Sequence, residues 1–209
     1  MARHIDYYFS TPSPWTFMGH APFMDLVRTY SLDVAFRPVA LGPVFAETGG
    51  LPLPKRAPAR QDYRLVELQR WRVKRNVELN IHPRFWPFDQ TRADQTIIAA
   101  LQAGLPVDAL MRRIFAGVWQ REENLADPAT LAAIADEVGL PGSSLVLAAE
   151  SEAAASAYDE NRALAIAAGV FGAPSYVLDG EVFWGQDRLD LLADALASGR
   201  SPYRPIKAQ

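Results

Sequence analysis

The chain contains no cysteine. That excludes a disulfide framework, a thiolate-bound metal, a cysteine nucleophile and dithiol–disulfide exchange. Any thiol chemistry would have to use a thiol that arrives as a ligand. Positive charge is not in surplus either. The 21 Lys and Arg against 24 Asp and Glu leave a net charge of −3, so no long-range field favours nucleic acid or an acidic membrane. The three histidines, His4, His20 and His82, lack metal-ligand spacing. No apolar run is long enough to span a bilayer. The first residues, Met1-Ala2-Arg3-His4, lead straight into an apolar strand pattern without the segments of an export signal. The expectation is a cytoplasmic protein with neither nucleic-acid nor membrane partners. What is present is ordinary for a globular chain of 209 residues, 49% hydrophobic and 22% charged. That length suits one domain, or a domain carrying a large insertion.

Ile5 to Phe9 is almost continuously apolar, the pattern of a strand covered on both faces. Pro12 and Pro14 punctuate the turn that follows, and Pro14 fits the first turn of a helix running to Tyr30. Leu32 to Arg37 reads as a second strand, so a right-handed parallel crossover is expected. Glycines and prolines from Ala40 to about Pro58 read as a long loop. From Gln61 to Gly169 the apolar spacing is helical. Leu65, Leu68 and Trp71 mark one face, Ile97, Ile98 and Leu101 another, and Leu110 to Trp119 a broad stripe. Asp127-Pro128 is a capping signal, and Gly169 suits a left-handed helix end. Ser175 to Leu178 and Glu181 to Trp184 flank Asp179-Gly180, a two-residue hairpin signal. Gln186 or Asp187 then caps a last helix through Leu189, Leu192 and Leu196. The order β-α-β, helical block, α-β-β-α is that of a thioredoxin-like, DsbA-like α/β domain with an all-α insertion. The expected division is 1–45 with 166–200 for the thioredoxin-like part, 46–165 for the insertion, and 201–209 for a tail.

Four stretches, in order, carry a resemblance over essentially the whole chain: Asp6 to Phe9 through Ser13-Pro14-Trp15-Thr16; Leu41 to Gly49; Tyr63 to Trp71; and Gly169 to Ser175 with Phe183 to Arg188. The chain resembles the 2-hydroxychromene-2-carboxylate isomerases, relatives of kappa-class glutathione transferases and of DsbA. Ser13 by itself reads as a helix N-cap, at a helix start that favours an anion. The resemblance implies that it is the catalytic residue and holds the thiolate of glutathione, the implied cofactor. Thr16 matches the second cysteine of the redox relatives and reads as structural. The resemblance further implies a cis Pro174, with Ala173 offering its backbone to the cysteinyl part of glutathione. Gln186, Asp187 and Arg188 are placed by it at the γ-glutamyl end, with Asp187 on the ammonium.

The basic residues from Lys55 to Arg75 read mostly as a solvated helix face. Lys55 or Arg56 is the candidate cation for a carboxylate, and Phe85 and Trp86 are the candidate wall for a flat ring. The implied activity is glutathione-dependent interconversion of 2-hydroxychromene-2-carboxylate and trans-o-hydroxybenzylidenepyruvate in aromatic-compound catabolism, by a homodimer. Two alternatives stay open on the residues: a kappa-like glutathione transferase or peroxidase acting on another electrophile, and a non-catalytic DsbA-like binding protein.

Overall fold

A computed structural model describes residues 2–206; Met1 and the end of the expected tail, 207–209, lie outside the described residues. In chain order the elements are β1 (His4–Phe9), α1 (Pro14–Tyr30), β2 (Asp33–Pro38), α2 (Leu41–Thr48), α3 (Pro58–Lys74), α4 (Thr91–Gln102), α5 (Asp108–Trp119), α6 (Pro128–Glu137), α7 (Gly142–Ala148), α8 (Glu152–Ala167), β3 (Ser175–Leu178), β4 (Glu181–Trp184) and α9 (Leu189–Ser198). Among the described residues the strands form one four-stranded sheet in the order β2-β1-β3-β4. β1 runs parallel to β2, with Tyr7 opposite Phe36, and antiparallel to β3, with Tyr7 opposite Tyr176. This is an α/β, DsbA-like thioredoxin fold whose helices α2 to α8 lie between the two strands that flank β1.

Both sheet faces are covered, which explains the nearly continuous apolar character of Ile5 to Phe9; the exception, Asp6, pairs with Arg37 at 2.6 Å. On one face Ile5, Tyr7 and Phe9 join a core that continues into α1, α5 and α9. There Tyr7 stacks on Tyr176 at 5.2 Å and meets Phe23 at 4.6 Å. On the other face Tyr8 and Val177 pack with Val39, Ala165 and Val170.

The local signals hold where one residue's chemistry decides the geometry. Asp127 accepts N–H bonds from Ala129 and Thr130 with Pro128 in the first turn of α6. Asp179 and Gly180 both have positive φ, 51° and 77°, as the twist of the β3–β4 hairpin requires.

The segment from Ala40 to Pro58 is a correction. It holds α2 and a 3-10 turn, Leu53–Lys55, instead of an unbroken loop. Pro43 is the third residue of α2, where a backbone N–H would have no helical partner anyway, and Gly49 closes α2 with φ 78°. The breakers therefore mark the ends of a helix. The second correction concerns α9. A 3-10 turn, Gln186–Arg188, precedes it, and Arg188 occupies its cap position with no side-chain capping bond. Gln186 and Asp187 are not its caps. β2 also sits one residue later than expected.

Candidate active site at the start of the first helix

Ser10 to Ser13 turn the chain from β1 into α1. The Ser13 N–H donates to Ser10 O at 3.0 Å. Ser13 has extended backbone angles, and its Oγ accepts the Thr16 N–H at 3.2 Å. It is therefore the N-cap of α1, and it is 7% exposed. The helix start has few free donors. Pro14 has no N–H, Thr16 is bonded to Ser13 Oγ, and Phe17 donates to Ser13 O at 3.1 Å. Among the described residues that leaves the Trp15 N–H in the first turn. Since Ser13 Oγ already accepts, its own O–H is the donor available to an incoming anion. The Thr16 hydroxyl is buried and has no partner among the described residues.

Behind this turn lies a polar network. Ser10 Oγ donates to Gln90 Oε1 at 3.0 Å, Gln90 Nε2 donates to Val39 O at 3.0 Å, and Tyr158 Oη donates to Asp94 Oδ2 at 2.6 Å. Asp94 and Thr11 are wholly buried. Burial pushes the Asp94 carboxyl up to about 7, against hydrogen bonds from Tyr158 and Gln90 that favour its charged form. Sequence reasoning did not single out Asp94. The available signal was its place on the apolar stripe of α4, three, four and seven residues before Ile97, Ile98 and Leu101.

The sheet supplies the second side. The peptide bond between Ala173 and Pro174 is cis. The register that sets Ser175 opposite Tyr8 carries Ala173 and Pro174 alongside the residues leading from β1 to Ser13. Pro174 O accepts the Gly185 N–H at 2.9 Å, so the next turn follows directly. Gly185 has φ 107°, a conformation that favours glycine. Beyond it Gln186 is buried and bound to the end of α3. Arg75 Nε donates to its Oε1 at 2.8 Å, and Arg75 Nη2 to its backbone O at 2.7 Å. These bonds occupy the Gln186 Oε1 and backbone oxygen and involve no donor of its Nε2 amide. Asp187 is exposed and pairs with Arg188 at 2.5 Å.

The helices between β2 and β3 supply a third side. Trp86 Nε1 donates to Pro12 O at 2.9 Å, which places Trp86 against the Ser13 turn. Phe85 is exposed, with the Arg84 guanidinium 5.2 Å from its ring. Lys55 is exposed at the end of its 3-10 turn. Ser13, Trp86, Ala173, Pro174 and the turn from Gln186 to Arg188 are thus linked by backbone register or hydrogen bonds; Phe85 and Lys55 have no such link.

His20 is a core residue. Its Nε2 lies 2.9 Å from Asp108 Oδ1, and burial lowers its basicity. Among the described residues no three His, Cys, Asp or Glu side chains cluster as metal ligands, and no helix is long and apolar enough to cross a membrane. A cavity of about 730 Å³ runs along α1 beyond this site, lined by Phe17, His20, Lys74, Arg75 and Arg112 among others, without reaching Ser13.

Residues 4–197 match the DSBA-like thioredoxin domain family. The chain is 30% identical to the 2-hydroxychromene-2-carboxylate isomerase of Sphingobium xenophagum over 94% of its own length and 99% of that protein. It is 29% identical to the protein of the same name from Pseudomonas putida, covering 92% and 93% of the two chains. A solved 2-hydroxychromene-2-carboxylate isomerase superimposes with a TM-score of 0.76 at 26% identity, over 93% of this chain and 95% of that one. A probable DsbA oxidoreductase from Streptomyces coelicolor gives 0.75 at 17% identity, over 99% and 94%, and shares the fold.

Proposed function

The chain belongs to the DSBA-like thioredoxin domain family and, within it, to the 2-hydroxychromene-2-carboxylate isomerases, and from that premise we propose a glutathione-dependent isomerase. It would interconvert 2-hydroxychromene-2-carboxylate and trans-o-hydroxybenzylidenepyruvate in the breakdown of bicyclic aromatic compounds. One observation supports this reading above the rest: a serine caps the helix start in a chain with no sulfur nucleophile of its own, and its O–H remains free to donate.

The residues fit a thiolate tripeptide. Ser13 O–H and Trp15 N–H are donors at the positive end of α1. The strand-like residue before cis Pro174 can pair with an extended peptide. Exposed Asp187 can take an ammonium in exchange for Arg188. When bound, glutathione would supply a nucleophilic thiolate that can add to the conjugated double bond and be expelled unchanged; the bond can turn while it is single, once the ring carbon–oxygen bond of the chromene has opened to a phenol and a ketone. Ser13 holds that sulfur charged. A free thiol has a pKa of about 8.5, and each unit by which a donor and a helix dipole lower it is worth about 1.36 kcal/mol. Trp86, bonded to the Pro12 carbonyl, packs against the turn that carries Ser13.

The test follows chromene absorbance with and without glutathione, for wild type and Ser13→Ala. Turnover should require glutathione and leave the thiol concentration unchanged. The variant should lose roughly a hundredfold in kcat and about 1 kcal/mol of stability from the missing cap. Wild-type turnover without glutathione, or thiol consumed mole for mole, would overturn the assignment.

A further inference from the structure

The basic run from Lys55 to Arg75 separates once its contacts are traced. Arg70 pairs with Glu67 at 2.6 Å, Arg75 is committed to Gln186, and Lys74 lies over the Trp71 ring. Arg64 differs from these. Its guanidinium carbon lies 5.1 Å from the centre of the Trp86 ring. Trp86 in turn donates to Pro12, the residue before Ser13. Arg64 is half-buried, and no carboxylate among the described residues pairs with it. Its charged neighbour is another guanidinium, Arg56, held by Leu51 O at 2.8 Å. Burial and Arg56 together push Arg64 down to about 10. Two like charges kept partly out of water, with no counter-ion, are unfavourable until an anion joins them. A guanidinium resting on an indole is also fixed in place, which suits a two-point bond to a carboxylate.

We propose that Arg64, supported by Arg56, seats the carboxylate of the electrophilic substrate beside the Ser13 turn and restricts the site to ring compounds that carry one. The inference rests on the reading of Ser13 as the reaction centre. The glycyl carboxylate of glutathione is a second source of the same chemistry. The aromatic acid is favoured because the Arg64 guanidinium rests on the Trp86 indole, a flat surface beside which an aromatic ring carrying the carboxylate can stack.

Calorimetry with coumarin-3-carboxylate, neutral coumarin and glutathione, on wild type, Arg64→Leu and Arg64→Lys, tests it. Arg64→Leu should weaken the coumarin acid roughly ten- to hundredfold and leave coumarin and glutathione within about twofold; Arg64→Lys should recover part. In turnover the KM for the chromene acid should rise while the KM for glutathione stays. Equal weakening of acid and neutral ligand would overturn the proposal, as would no weakening. A loss confined to glutathione, and absent with its glycyl ethyl ester, would assign the seat to the tripeptide and also overturn it. If Arg64→Leu does not fold, Arg56→Leu and Arg64→Lys are read on the same ligands. Arg64-dependent binding of the acid without glutathione-dependent turnover would keep the seat and reject the isomerase.

Discussion

Replacing Asp94 by Asn should change how stability depends on pH. In the folded protein the Asp94 carboxyl is raised from the usual 3.8 to about 7 by burial. A group raised on folding contributes stability that is complete below its unfolded pKa and is lost as pH rises through the folded value. The window therefore runs from about pH 4 to about pH 7, and the shift of about three units is worth about 4 kcal/mol in full. Between pH 5 and pH 8 the same relation gives a loss of about 2.5 kcal/mol. Asn keeps an oxygen for the Tyr158 hydroxyl and never ionises, so its contribution is flat. Urea unfolding followed by tryptophan fluorescence at pH 5 and pH 8 measures both proteins. The wild-type minus variant difference cancels His20, whose lowered basicity costs stability as pH falls, and His4, whose raised basicity acts oppositely. The variant should gain about 2.5 kcal/mol on wild type between the two pH values. Parallel curves would show that Asp94 does not titrate in this window and would refute the reasoning.

Gly19→Ala should destabilise, although alanine is normally preferred to glycine inside a helix by about 1 kcal/mol. The added Cβ would lie 2.7 Å from Gln186 Cβ and 3.0 Å from Tyr176 Oη, a clash costing about 1–3 kcal/mol; a higher melting temperature would contradict this. Thr16→Val removes a buried hydroxyl that has no partner, so stability should hold or rise by up to about 1 kcal/mol. Catalysis by this variant should match wild type, and a fall of several degrees in melting temperature would show that the hydroxyl does have a partner.

Elements fixed by a single residue's chemistry were legible in the sequence: the Ser13 cap, the Asp127-Pro128 helix start and the Asp179-Gly180 hairpin. The stretch from Ala40 to Pro58 was not, because proline in the first turn and glycine just past the end of a short helix look the same as loop punctuation. Gln186 read as a possible cap of the last helix, which it is not. Its bond to Arg75, 111 residues away, is a tertiary event that local pattern does not encode. Arg64 was hidden for the same reason. Nothing in a run of basic residues says which one rests on the Trp86 ring beside the Ser13 turn; that depends on where the Trp86 segment falls in space. Asp94 was legible in principle, as an acid on a hydrophobic stripe.

The placement of the helices between β2 and β3 has an evolutionary consequence. Those two strands are the immediate neighbours of β1 in the sheet, so the long excursion leaves and re-enters on either side of the strand that delivers Ser13. Helices there can be lengthened, retilted or resurfaced while the serine stays anchored. Such an architecture separates inheritance of the turn that holds Ser13 from diversification of the helices inserted between its flanking strands.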